Sequence, residues 1–297
     1  MTPKIHHIFL FFYLSYFILC KAHNPSTLSN TNSPNAFDFL KGLNGTQKGD
    51  KEKGLSQLKK HLANLGYISN PIVHLSNDIF DDTLELAIKK YQNFYRINIT
   101  GTLDSQTLTS MLRPRCGVAD IINNDNVINT NTSFGDIKYV LSGSTWPPNK
   151  RYLRVSFPRG TRGDAYDPVK NALARWASVS PFKFNFIDNV EASDVKMSFQ
   201  RWDHGDGSPF DGRGGALAHA AYPTYGILHF DADESWSTYA QKGEWDLQTV
   251  ALHELGHTLG LAHSQDPNAI MYASIHAGEK KDLNNDDIQG IRAMYYK

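Results

Sequence analysis

His253-Glu254-Leu255-Gly256-His257-Thr258-Leu259-Gly260-Leu261-Ala262-His263 is the stretch from which the rest of the chain can be read. Its apolar residues continue back to Leu247, and their spacing predicts a helix over residues 247–261. On a helix, positions four apart share a face, so His253 and His257 can aim both imidazoles at one ion with Glu254 beside them. Gly260 can take a positive φ, end the helix and bring His263 back as a third ligand. Neutral imidazole nitrogens suit zinc, and a catalytic site needs three protein ligands plus an open position for water. A single histidine on a helix is ordinarily a surface or core residue; a set at this fixed spacing has a mechanical reason at every position.

Working outward, residues 152–157 alternate like a strand, 167–178 read as an amphipathic helix, and 182–187 and 195–199 read as strands. Short strand-like pieces follow at 216–222 and 227–230, and a last helix is predicted over 286–296. Strands first and helices later, with one crossover helix, indicate an α+β (mixed α/β) domain. Upstream, Leu55, Leu58, Leu62 and Leu65 recur at helical spacing within 51–65 and stop at Gly66. A second helix is predicted over 81–94, and a third over 105–112, stopped by Pro114. These three make a small helical domain. Between the two units, residues 121–138 are rich in Asn and Thr and read as an exposed, cleavable linker.

The 297 residues, 40% apolar, can bury one moderate core and a smaller one. Thirty basic residues balance thirty acidic ones, so no nucleic-acid partner and no anionic membrane surface is indicated. Lys4, the apolar run from Ile8 to Cys20 and the small Ala22 read as a secretory signal peptide over 1–22; the run is shorter than the roughly 20 residues of a membrane span. Residues 23–37 read as a flexible, Ser/Asn/Pro-rich segment. Cys20 leaves with the signal peptide, so Cys116 is the lone thiol of a secreted chain, which calls for intermolecular pairing, a reactive thiol or a metal ligand. Sequons at Asn44, Asn98 and Asn131 fit a glycosylating pathway. No apolar tail follows the last helix, so neither a lipid-anchor signal nor a transmembrane anchor is expected.

The long histidine motif resembles the metzincin clan of metalloproteases, and Ala269-Ile270-Met271-Tyr272 looks like the clan's Met-turn, with Met271 flooring the zinc site through packing. Ser264 after the third histidine is like the matrixins, the matrix metalloproteinases. Pro114-Arg115-Cys116-Gly117-Val118-Ala119-Asp120 is similar to the matrixin cysteine switch; a thiolate there would take the position of the catalytic water and hold the enzyme as a zymogen. The resemblance implies that Arg115 and Asp120 pair to brace this loop and that Gly117 permits its tight shape.

The segments around 204–219 and 229–234 also resemble matrixins. They imply a structural zinc on His204, Asp206, His219 and His229, and a structural calcium on Asp211, Asp231 and Glu234 with loop carbonyls near Gly212, Gly214 and Ala216. The family has an aspartate where Ile227 stands, although Asp194 matches one partner of a second calcium. The fold implied is a metzincin-like catalytic domain over 139–297, with a twisted, mostly parallel sheet and long helices, behind a helical prodomain over 38–120 that is itself similar to a peptidoglycan-binding module. With no propeller-like C-terminal domain, the chain looks like the plant matrixins. The implied function is a secreted zinc-dependent endopeptidase, acting as a monomer on extended polypeptides through zinc-activated water with Glu254 as general base, in the extracellular space or cell wall. The competing class is a non-enzymatic, metal-stabilised secreted protein that binds cell-wall or matrix glycan through the N-terminal module; an intact Glu254 argues against it, since a scaffold needs no general base.

Overall fold

The computed structural model describes residues 36–69, 75–122 and 138–296. The predicted signal peptide, nearly all of the N-terminal segment and of the linker, and the sequon at Asn131 lie outside the described residues. No described helix is long and apolar enough to cross a membrane.

Three helices form as their spacing predicts: α1 (Leu55–Asn64), α2 (Asp82–Phe94) and α3 (Ser105–Met111). Asp81 and Asp104 cap α2 and α3, their carboxylates accepting the N–H groups of Leu84 and Thr107, which would otherwise be unpaired in the first turn. Gly66, at φ 87°, lets the chain reverse after α1. Leu55, Leu58 and Leu62 of α1 meet Leu84, Ile88 and Tyr91 of α2 in one apolar core. Phe37 is buried in that core, Ile121 packs on its edge, and the Ile121 N–H donates to the Leu65 carbonyl.

The second unit is built on a six-stranded sheet. Its strands are β1 (Arg115–Cys116), β2 (Tyr152–Ser156), β3 (Lys183–Phe186), β4 (Val195–Gln200), β5 (Ala216–Ala220) and β6 (Ile227–Asp231), in the order β1-β5-β6-β4-β2-β3. All neighbours are parallel except β5 and β6. Helix α4 (Tyr166–Val179) is the crossover between parallel β2 and β3, as such a pair requires. A short parallel pair, β7 (Trp236–Ser237) and β8 (Trp245–Asp246), leads into α5 (Leu247–Thr258), and α6 (Asn285–Tyr295) closes the fold.

α4 and α5 pack together inside the main core, where the Trp176 indole donates to the Leu252 carbonyl at 2.7 Å and the Trp146 indole to the Thr258 carbonyl at 2.8 Å. Burial all round explains why α5 carries almost no polar face: Val250 through Leu259 are buried without a break. α5 stops at Thr258, three residues short of the predicted end, because Gly260 at φ 106° turns the chain out of the helix. The strand β1 belongs to the prodomain side of the sequence, so the sheet of the second unit is completed at its edge by the segment around Cys116.

Candidate active site

Asp246 caps α5 by accepting from the N–H and hydroxyl of Thr249, fixing the rotation of the helix that carries His253, Glu254 and His257. Each imidazole is then turned by an acceptor at its Nδ1. His253 donates to the Ile270 carbonyl at 2.6 Å, His257 to the Leu261 carbonyl at 2.8 Å, and His263 to Asp120 Oδ1 at 2.7 Å. Carbonyl and carboxylate oxygens can only accept, so the ring protons sit on Nδ1 and the three Nε2 lone pairs are free. They converge: His257 Nε2 lies 3.1 Å from His253 Nε2 and 3.2 Å from His263 Nε2. Cys116 Sγ completes the group, 3.4 Å from His257 Nε2. Four ligand atoms within 4.8 Å, facing one another with no proton between the nitrogens, are satisfied only by a cation, and this donor set fits zinc. Burial keeps the histidines neutral, as ligands must be.

Glu254 is fully buried beside this group, and neither of its oxygens has a hydrogen-bond partner. Burial pushes its pKa up to about 8, with the neighbouring Cys116 thiol opposing only in part. It opens onto an apolar cavity lined by Leu217, Thr249, Val250, Ile270, Tyr272 and Ile275. Met271 lies underneath: a side chain added at Gly256, between the two helical histidines, would run into its sulfur. The predicted packing role of the Met-turn thus corresponds to a close approach that only glycine at 256 permits.

The switch segment enters as a strand. Arg115 donates from its backbone N–H to the carbonyl of Gly215, just before β5, Gly117 to that of Ala218 on β5, and Cys116 to that of Ala273 just past the Met-turn. It therefore lies in a slot with one wall on the sheet edge and the other on the loop after Met271. Gly117 lies close against β5, and a Cβ there would stand 3.4 Å from the Cβ atoms of both Ala216 and His219. Arg115 and Asp120 pair as expected, at 2.6 Å, and both are buried. Burial alone would raise the Asp120 pKa, but Arg115 and His263 hold it well below the usual carboxylate range. Tyr67 donates to the same carboxylate at 2.7 Å, so one prodomain side chain joins the latch, a core tyrosine and a ring of the metal site.

A second group forms between β5, β6 and the loop before them. His219 and His229 stand opposite one another in the antiparallel pair. Asp206 Oδ2 lies 3.0 Å from His204 Nε2, 2.8 Å from His219 Nε2 and 3.0 Å from His229 Nδ1. Burial would raise Asp206, but the Ser208 N–H and the histidines outweigh it and bring it to about 2; burial lowers His219 to about 4. One carboxylate and three imidazoles with their ligand atoms all within 4.8 Å fit a closed four-ligand zinc site.

Asp211, Asp231 and Glu234 are drawn together less tightly and are not among the groups whose ligand atoms all lie within 4.8 Å. Asp211 accepts from the Ala216 N–H, and Glu234 from the Gly214 N–H and the Trp245 indole. Asp231 Oδ2 is buried without a partner, and burial together with nearby Asp211 lifts Asp231 to about 7. Gly212 and Gly214 both have positive φ, so the connecting loop turns tightly around the three carboxylates. Asp194 pairs with Lys150 at 2.8 Å and with Arg154 at 3.1 Å. Asn44 and Asn98 are exposed.

Sequence reading missed two contributors. Asp287 accepts the N–H groups of Ile270, Met271 and Asn284, fixing the Met-turn to the start of α6; the Asn284/Asp287 capping-box spacing was the available signal. The bond from His263 to Asp120 had no local signal, because the two are 143 residues apart.

The family model for Matrixin matches residues 153–296, and the model for a peptidoglycan binding domain matches residues 51–111. The chain is 43% identical to Metalloendoproteinase 1 of Glycine max over 263 residues, covering 83% of each. It is 37% identical to Metalloendoproteinase 5-MMP of Arabidopsis thaliana, over 88% of this chain and 76% of that one. Interstitial collagenase of Bos taurus is 35% identical, over 82% of this chain and 50% of its own length.

Proposed function

The chain belongs to the matrixin family of zinc metalloendopeptidases, and from that premise we propose that His253, His257 and His263 hold its catalytic zinc, that Glu254 is the general base, and that Cys116 is the fourth, inhibitory ligand of the zymogen. The observation that carries the reading is the convergence of three free Nε2 lone pairs and one thiol sulfur beside a buried, unpartnered glutamate. When bound, zinc supplies Lewis acidity, lowering the pKa of water and polarising the scissile carbonyl. Glu254, whose proton affinity is raised by burial, takes the proton from the attacking water and returns it to the departing amine. The Ile270 and Leu261 carbonyls keep the His253 and His257 rings aimed throughout. An extended peptide takes the slot between β5 and residue 273 once the switch segment leaves, with one side chain entering the apolar cavity beside Thr249.

Two further supports belong to the same reading. His204, Asp206, His219 and His229 hold a structural zinc. Asp211, Asp231 and Glu234, helped by carbonyls of Gly212, Gly214 and Ala216, hold calcium, whose charge would give the orphaned Asp231 oxygen its partner. Residues 38–120 act as the inhibitory prodomain, 121–138 as the linker cut on activation, and 139–297 as the protease. The protein acts as a monomer outside the cell, Asn44 and Asn98 are open to glycosylation, and the match over 51–111 supports association with the wall or matrix. That association is tested by sedimenting the zymogen with insoluble cell-wall glycan; binding equal to that of a chain lacking 51–111 refutes it.

The general-base assignment is tested by Glu254→Ala in the processed enzyme. It should keep its full zinc content and lose at least about 10³-fold in peptide turnover, within the range of losing a positioned acid–base group. Undiminished cleavage by a zinc-replete variant rejects it.

A further inference from the structure

Among the described residues, only one of the buried side-chain polar atoms left without a hydrogen-bond partner is a donor, the hydroxyl of Tyr222. Tyr222 follows β5, the strand against which the switch segment lies, and its ring stands edge-on to the metal-ligand ring of His257, with centroids 5.7 Å apart at 86°. A phenol is protonated at neutral pH and so able to donate. A buried hydroxyl without a partner is costly, and native proteins rarely keep one without a use. The same His257 carries the switch contact, with the Cys116 sulfur 3.4 Å from its Nε2. Tyr222 does not line the apolar cavity onto which Glu254 opens. The two orphans therefore flank one centre, an acceptor on the cavity side and a donor away from it.

We propose that Tyr222 is a substrate-contacting catalytic residue, its hydroxyl donating a hydrogen bond to the scissile carbonyl oxygen as that oxygen gains negative charge. An uncommitted donor gains most from the most charged acceptor that reaches it, and a donor already in place needs no reorganisation at the moment of reaction. The zymogen keeps this donor idle because the thiol occupies the substrate's place.

The inference rests on the catalytic reading above, and its test is separable from that reading. Tyr222→Phe removes one oxygen and keeps the ring against His257. In the full-length zymogen it should leave the melting temperature unchanged or raise it, since the lost hydroxyl had no partner. After processing, zinc content and KM should stay at wild-type levels, within about twofold, while kcat falls about ten- to a hundredfold, the worth of one hydrogen bond to a charged group. Affinity for a phosphinic peptide, whose tetrahedral phosphinate stands for the hydrated carbonyl, should fall by the same factor. An unchanged kcat, a change confined to KM, or loss of zinc or of melting temperature overturns the proposal. Inactive wild-type enzyme, or active Glu254→Ala, would instead overturn the catalytic reading itself.

Discussion

Asp120→Asn is the substitution with the largest calculable effect on latency. The carboxylate is fully buried and receives Arg115 at 2.6 Å and 2.9 Å, the Tyr67 hydroxyl at 2.7 Å and His263 at 2.7 Å. Asparagine has nearly the same shape but only one accepting oxygen, and it leaves the Arg115 guanidinium, 5% exposed, without a counter-charge. Breaking a buried ion pair by removing one member costs about 3–5 kcal/mol, and only the docked state of the switch bears that cost, because an undocked Arg115 returns to water. The ratio of open to docked zymogen should rise by about two to four orders of magnitude. Processing within 121–138, as proposed, would remove residue 120, so the kcat/KM of the processed enzyme should match wild type. The assay is hydrolysis of a fluorogenic peptide by unprocessed zymogen without activator, with Cys116 reactivity toward a thiol reagent followed in parallel in the Glu254→Ala background, where no self-cleavage can intervene. A second arm uses Arg115→Met with Asp120→Leu, which should leak less than Asp120→Asn because no unpaired charge is buried. An Asp120→Asn zymogen as silent, and a thiol as protected, as in wild type would refute the reasoning.

Two other outcomes follow from the structure. Asp231, raised to about 7 in the folded state, favours the protonated fold: its contribution to stability is fully present below the unfolded carboxylate pKa and is lost as pH rises through about 7. Calcium needs the ionised form, so the gain in melting temperature on adding calcium should grow between about pH 5 and pH 8, and a gain independent of pH would count against Asp231 as a ligand. Gly256→Ala should destabilise despite alanine's better helix propensity, because the methyl would meet Met271 and sit 3.0 Å from the Trp176 ring; overpacking of about 1–3 kcal/mol exceeds the roughly 1 kcal/mol gained. A melting temperature at or above wild type would show that the helix tolerates the methyl.

What could be read from the sequence was whatever spacing alone determines. Helix α5 and its histidines follow from a period and one glycine, and the helices of the prodomain follow from leucine periodicity and their aspartate caps. The two-residue strands β1, β7 and β8 did not, because strands that short have no period to detect and exist only through their partners. The Arg115–Asp120 pair is close in sequence and was expected, but the attachment of Asp120 to His263 joins the prodomain to the far side of the active-site helix. Tyr222 escaped for the opposite reason: a tyrosine next to a proline in a loop is unremarkable until its hydroxyl is found buried without a partner.

Latency in this molecule does not reside in the thiol alone. Cys116 Sγ is one attachment; the three backbone bonds from Arg115, Cys116 and Gly117 to Gly215, Ala273 and Ala218 are a second; and a third is apolar, since Ala273 is buried in the prodomain's own core with Tyr272 packed on its edge and against Tyr95. Intramolecular hydrogen bonds of this kind each contribute about 1 kcal/mol net, so the second attachment alone is comparable to a weak ligand. While the linker is uncut, that ligand is present at the high effective concentration of a tethered segment and rebinds after each opening. Capping the thiol removes only the first attachment, and a reagent acts further only if its bulk keeps the strand from re-forming on β5. The proposed cut within 121–138 would change a different quantity, because it would let the whole prodomain dilute away. Tyr272 and Ala273 line the apolar cavity and also pack on the core of the helical unit, so in the zymogen that wall of the cavity is held from the prodomain side.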